Sequence, residues 1–335
     1  MKVKNFIKVF KYSILVLIGL GLCIGIIGFV FEVNAKRVAL EEFPPAGELV
    51  AVSEQVTLHI NSQGEKKPIV VIESGVGSWS LAWDKVQKEV SQFATVVTYD
   101  RAGLGWSGAG ESDRTGDQVN SELHDLLTRT GHKGPYILVG HSLGGLYSQL
   151  FANRYPEEVA GMILVDTRPP NFEEEFPALK EDYSNQAKQM KMYKFISSFG
   201  VVRLLAGGAI HPSYSETNRE LNIAIGFQGK SFDAIRSEIL AMEAIDQEVL
   251  AIKDQKDVPT TVITHGISED FSALGLTKEE NEQIEASWQS YQKKLANSFE
   301  VNELIVAEES KHNIMLEQPE IIIEAIKQMI ANNIN

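Results

Sequence analysis

Tyr136-Ile137-Leu138-Val139-Gly140-His141-Ser142-Leu143-Gly144-Gly145 is the stretch that decides the fold. Four apolar residues predict a buried strand, and the glycines that follow at once predict a tight turn into the helical pattern of Leu146 to Tyr155. A G-x-S-x-G turn between strand and helix holds its serine on a strained backbone, with the hydroxyl projecting from the sheet. Gly140 and Gly144 suit such a turn because strand and helix approach closely on either side of Ser142. The helix N-terminus then brings unpaired N–H groups beneath that hydroxyl. A glycine-rich connection with a merely solvated serine would read the same, so the rest of the chain decides between the two.

Upstream, strand-like alternation runs over Glu48 to Val52 and Gln55 to Ile60, with a turn expected at Asn61-Ser62-Gln63-Gly64 and a buried strand at Pro68 to Glu73. Helical spacing of Trp83, Val86, Val90 and Phe93 leads to a strand at Thr95 to Tyr99, and Val119, Leu123, Leu126 and Leu127 mark the next helix. Downstream, Gly161 to Val165 is another buried strand. Apolar strands alternating with amphipathic helices predict the α/β class, a mostly parallel central sheet flanked by helices. Thr167 to Asp257 breaks the rhythm with helical patterns and no convincing strand. Strands at Pro259 to Thr264 and Glu303 to Val306 restore it, followed by a closing helix with Ile322, Ile326, Met329 and Ile330 on one face. The predicted core is therefore 48–166 and 258–335, with a helical lid over 167–257. An insertion there leaves the sheet at the edge where ligands bind, although a peripheral packing domain would carry the same pattern.

The N-terminus is different. Ser13 to Phe31 is an uncharged run of 19 residues, preceded by Lys2, Lys4, Lys8 and Lys11 and followed by Glu32. That length crosses a bilayer as a helix, and the lysines place its start in the cytoplasm and the remainder outside. Residues 1–35 are read as a membrane anchor and 36–47 as a stalk. The expected product is a single-pass protein of the cell membrane with an extracytoplasmic body. The alternative is a signal peptide cut after Val33-Asn34-Ala35, releasing a secreted protein, but the run exceeds the usual apolar length of such a segment. Cys23 follows Leu22 rather than a small residue, which argues against lipid attachment, and as the sole cysteine it leaves the body no disulfide and no thiol nucleophile. Residues 1–37 carry six Lys/Arg against one Glu, and the rest 25 against 44 acidic residues. A body that acidic is repelled by nucleic acid, so no nucleic-acid partner is expected.

Four stretches together resemble the α/β-hydrolase fold superfamily over about Glu48 to Asn333: Glu73-Ser74-Gly75-Val76-Gly77-Ser78, Tyr99 to Ser107, Gly140 to Gly145, and Lys311-His312 followed by Gln318-Pro319-Glu320. The resemblance implies a serine-nucleophile hydrolase with a lid. Its members carry the base after the last strand, which is His312 here, and the chain order serine, acid, histidine holds. Ser142 is then the nucleophile; an aspartate there would instead suggest the dehalogenase or epoxide-hydrolase branches. Of seven histidines, His265, at a strand end, is the one rival base. His141 adjoins the nucleophile but is expected to point elsewhere, and His59, His124, His132 and His211 read as surface or packing residues.

The acid has three candidates. Asp166 ends Leu164-Val165-Asp166, the position some lipases of this fold use; Asp270 is the alternative after the following strand, with Glu269 third. The backbone N–H groups of Leu143 and Val76 are the expected oxyanion donors. Asp100-Arg101 is read as a buried charge pair and Glu173-Glu174-Glu175 as a solvated helix face. Gly103-x-Gly105 lacks the third glycine of a dinucleotide fingerprint, and the histidines and carboxylates show no metal-ligand spacing, so no cofactor and no metal are expected. The implied activity is cleavage of an ester or similar acyl bond of a small-molecule or lipid-like substrate. The same triad also serves acyltransferases and peptidases, and a membrane-anchored ligand-binding or signalling protein could reuse the fold with its triad idle.

Overall fold

The computed structural model describes residues 2–110, 113–253 and 257–333. Positions 254–256 of the predicted lid and 334–335 of the predicted core lie outside the described residues, as does Met1. The chain divides into two compact units, one of Met1–Pro44 with Lys191–Gly229 and one of Pro45–Met190 with Lys230–Asn335.

The larger unit holds an eight-stranded sheet: β1 Glu48–Ala51, β2 Thr57–Gln63, β3 Ile69–Glu73, β4 Thr95–Asp100, β5 Tyr136–His141, β6 Val159–Val165, β7 Thr260–His265 and β8 Asn302–Ala307. Its order is β1-β2-β4-β3-β5-β6-β7-β8, with β2 antiparallel to both β1 and β4 and the other pairs parallel. The expected turn over Asn61 to Gly64 is not where β2 stops. Asn61, Ser62 and Gln63 continue the ladder opposite Thr98, Val97 and Val96, because Gln87 satisfies the polar Asn61 side chain and backbone carbonyl. Beyond the sheet's direction change, β3 lies between β4 and β5, so the chain leaves β3 toward one edge and returns on its other side. Such a switch point opens a crevice outside the carboxyl ends of the strands. The loops after β3, β5, β6, β7 and β8 all leave from this end.

The helices, in chain order, are α1 Lys2–Glu42, α2 Asp84–Val90, α3 Gly116–Arg129, α4 Leu143–Arg154, α5 Phe172–Glu175, α6 Pro177–Ser197, α7 Val201–Leu205, α8 Glu216–Leu221, α9 Gly229–Leu250, α10 Lys278–Ala296, α11 Ile314–Glu317 and α12 Pro319–Asn333. Among its described residues the insertion carries helices joined by turns and irregular segments, and no strand. Apolar strand residues such as Val97 and Leu138 pack with Leu126 of α3 and Phe151 of α4, while Leu146 and Tyr147 of α4 meet Ile239, Met242 and Ile245 of α9. In the smaller unit α1 runs unbroken to Glu42, so most of the segment read as a stalk is helix.

One buried cation ties α9 to the sheet. Asp100 and Arg101 do not pair with each other, because successive residues of an extended chain point to opposite sides. Asp100 accepts the Ser80 and Trp106 amides, both at 2.9 Å, and lies 2.9 Å from His59 Nδ1. Arg101 donates to Glu73 and to Glu238 of α9, each at 2.7 Å, and to the Ser74 and Gly75 carbonyls at 2.6 and 2.7 Å. Glu238 also accepts the Gly77 amide at 2.9 Å. The loop after β3 is thus held at both ends by one ionic cluster. Truncating one partner of such a pair leaves an uncompensated charge, so Glu238→Ala is expected to cost about 3–5 kcal/mol in denaturant unfolding. A loss below about 1 kcal/mol, the range of an exposed pair, would contradict the cluster's structural role.

Candidate active site

Ser142 sits between β5 and α4 at φ 53°, ψ −119°, a conformation that side-chain-bearing residues rarely adopt. It persists because neighbours fix it on both sides: the Ser142 amide donates to Val165 O on β6, and its carbonyl accepts from the Gly145 amide. The close approach that called for glycine is real. A Cβ on Gly144 would lie 2.3 Å from the Glu73 carbonyl oxygen. The loop after β3 comes equally near, since a Cβ on Gly75 would lie 2.8 Å from His141 Nδ1 and 3.2 Å from Ser142 Cβ. Val76, next in that loop, and Leu143, the first residue of α4, lie on either side of the serine turn.

Asp166 follows β6 directly, also at positive φ (44°), and its side chain is buried. His312 Nδ1–H donates to Asp166 Oδ2 at 2.6 Å, which leaves Nε2 as the basic nitrogen of the neutral ring. Asp270 takes no part in this contact. It is exposed and accepts the Ser272 amide two residues on, a local turn that explains an aspartate at that position. Glu269 does reach the site, but through the main chain: its carboxylate accepts the His312 amide at 3.0 Å.

Residues without an assigned role in the sequence also surround Asp166, Thr264 among them through its hydroxyl. His265, weighed only as a rival base, donates Nδ1–H to the same Oδ2 at 2.7 Å and Nε2–H to Glu285 at 3.0 Å. Trp288 Nε1–H donates to Oδ1 at 2.9 Å, and its ring stands edge-on to His312 with centroids 5.5 Å apart. Glu285 and Trp288 share a face of α10 at i, i+3 spacing, a local signal that becomes meaningful only once α10 is known to cross the end of β7. His141, next to Ser142, contacts His312, its Nε2 lying 2.9 Å from the His312 carbonyl and its ring 4.6 Å from the His312 ring. Burial pushes His141 down to about 3, so it stays neutral.

Burial alone would raise the Asp166 carboxyl, but the hydrogen bonds from His265 and His312 outweigh it and hold the group well below the usual carboxylate range. Burial would likewise lower His265, yet its bonds to Asp166 and Glu285 raise it to about 10. His265 is thus an imidazolium with both N–H groups used, unable to act as a base at neutral pH. Asp166, His265 and His312 also place ligand atoms within 4.8 Å of one another, from three loops too far apart in sequence for a spacing rule. Their contacts at 2.6–2.7 Å are N–H···O bonds, and a cation would have to displace a proton from each ring.

Ser142, Val76 and His312 line one cavity of about 310 Å³, within the range of small-molecule sites. Tyr183, Met242, Phe271, Ile284 and Trp288 make most of its wall apolar. Arg168 also reaches it, but its guanidinium is taken by Asp246 and by Glu173, which is therefore ion-paired rather than solvated.

Residues 67–208 match the family model described as the alpha/beta hydrolase fold. Among curated proteins, YqjL of Bacillus subtilis (strain 168) is 36% identical over 104 residues, 31% of this chain and 41% of that protein. The match thus spans well under half of that relative. An AB hydrolase superfamily protein of Gibberella zeae is 24% identical over 291 residues, covering 79% of this chain and 87% of that one. The solved structure of a thermophilic esterase from Thermogutta terrifontis, with malate bound, superposes with a TM-score of 0.58 at 21% identity, over 86% of this chain and 99% of that one.

The charge on His265 carries a pH signature. A group raised in the folded state stabilises fully below its ordinary value of 6.5 and loses that contribution as pH climbs toward about 10. The lowered Asp166 acts oppositely, losing its contribution only in acid below 3.8. The melting temperature of the wild type should therefore exceed that of His265→Gln most near pH 6 and converge on it by roughly pH 10. A gap that does not change with pH would mean His265 is held neutral.

Proposed function

We propose that the chain, whose residues 67–208 match the alpha/beta hydrolase fold model, is a serine hydrolase of that superfamily cleaving an ester or similar acyl bond through an acyl-enzyme. The observation that carries this reading is the 2.6 Å bond from His312 Nδ1 to buried Asp166, beside a strained Ser142 that lines the same cavity. His312 Nε2 takes the Ser142 proton as Oγ attacks the substrate carbonyl. The oxyanion of the tetrahedral intermediate is held by the N–H groups of Leu143 and Val76. His312 then returns the proton to the leaving group, and water repeats the sequence in reverse to free the acid. Asp166 fixes the tautomer and steadies the imidazolium. The esterase fold neighbour supports this class of chemistry, and the small, mostly apolar cavity favours an uncharged acyl group.

The same proposal extends to location. Phe6–Glu42 of α1 has a mean hydropathy of 2.9 in its most apolar window, with none of that window buried, enough to cross a membrane. Retention as an anchor is favoured over cleavage after Ala35 because that bond lies within a continuous helix. Cleavage would also remove Glu32, which binds Arg203 within the smaller unit. The lysines before the run favour an extracytoplasmic catalytic domain.

A fluorophosphonate probe should label the full chain, and labelling should vanish in Ser142→Ala and His312→Ala. Asp166→Asn is expected to lower turnover of a p-nitrophenyl ester by roughly 10²–10⁴, by analogy with the loss of the orienting acid in other triads. Asp270→Asn should leave turnover within about twofold, as for a surface substitution. No labelling of folded wild type would instead favour a ligand-binding protein with an idle triad.

A further inference from the structure

The smaller unit contains an apolar surface that the reaction does not use. From Phe195 to Ile210 the chain carries a single charge, Arg203. Phe195, Leu204 and Leu205 are 66%, 72% and 73% exposed, on a unit that otherwise consists largely of the membrane-length helix. Arg203 is not available to water as compensation. Its Nε and Nη2 donate to the two Glu32 oxygens at 3.0 Å, and Nη1 donates to the Ile223 and Ala224 carbonyls.

Where this segment meets α1 sets its depth. Glu32 is the first charge after the apolar run, so its pair with Arg203 marks the edge of the hydrocarbon. Phe199 lies further in. A Cβ on Gly28 would be 2.6 Å from the Phe199 carbonyl oxygen, and one on Gly25 would be 3.8 Å from its ring. Those glycines precede Glu32 by four and seven residues, about 6 and 10 Å of helix. That is the depth at which interfacial elements rest, between headgroups and acyl chains.

We propose that the turn joining α6 to α7, with Leu204 and Leu205, is immersed in the outer face of the lipid bilayer beside α1, giving the chain a second membrane contact. The proposal rests on the reading of α1 as a membrane anchor. Its partner is a lipid surface, because Phe199 and Gly200 of the segment pack on α1 at Gly28 and Phe31 and because the one charge among the exposed residues is neutralised from α1 itself.

The test uses the full chain with Cys23→Ala, reconstituted in phosphatidylcholine vesicles. Single cysteines at Leu204, Leu205, Ile18 or Glu216 carry an environment-sensitive fluorophore, and some vesicles contain lipid with a quencher high on the acyl chain. Labels at 204 and 205 should lose roughly half their emission to the quencher, as should 18, while 216 on α8 is unaffected. Quenching at 18 without quenching at 204 and 205 overturns the inference and leaves the anchor intact, pointing to a protein partner for the exposed surface. No quenching at 18 removes the anchor and the inference together. Quenching at 216 equal to that at 204 overturns the claim of a defined lipid-facing edge.

Discussion

The site depends on one carboxylate. Asp166 is buried at a strained backbone position, and two imidazole N–H groups and an indole N–H converge on its oxygens. A charge in that position is costly unless every lone pair is used, and these bonds are what keep it ionised. In return it fixes the orientation of His312 and pins the ends of β7 and β8 to the end of β6. His265 makes the arrangement more than a three-residue relay. As an imidazolium bonded to Asp166 and Glu285, it supplies standing positive charge beside the buried carboxylate.

A second constraint is steric. The sheet order puts β3 beside β5, so the loop after β3 must pass within contact distance of the serine turn. Glycines at 75 and 144 make that passage possible, and Arg101 holds the loop there through two of its carbonyls. Because Glu238 of α9 both pairs with Arg101 and accepts the Gly77 amide, part of the helical insertion shares in setting the loop's geometry. The backbone groups proposed to bind the oxyanion are thereby held on a rigid frame before substrate arrives, which is what electrostatic stabilisation of a transition state requires.

What the sequence made legible was local. A strand, a G-x-S-x-G turn and a helix lie within twenty residues, so Ser142 and its glycines could be read directly, and the alternation of strands and helices gave the parallel sheet. His312 and Asp166 rest on the resemblance to the α/β-hydrolase fold rather than on any local signal. The ranking of Asp166 over Asp270 was narrower, because both follow strands of the same sheet edge and only the fold shows one carboxylate aimed at the histidine and the other closing a surface turn. Arg101, His265, Glu285 and Trp288 were misjudged or passed over because their partners lie far away in sequence: Glu238 is separated from Arg101 by 137 residues. The insertion shows the same limit. Helical periodicity marked it, yet it could not reveal that residues 191–229 associate with α1, since that depends on one glutamate and one arginine 171 residues apart.

The covalent intermediate on Ser142 is best sought by mass spectrometry of the chain quenched in acid during turnover of an activated ester. The acyl group is expected on the peptide containing Ser142, formed within the first turnover and lost as the ester is exhausted. Turnover with no acyl group on that peptide, or with the adduct on another residue, would contradict it.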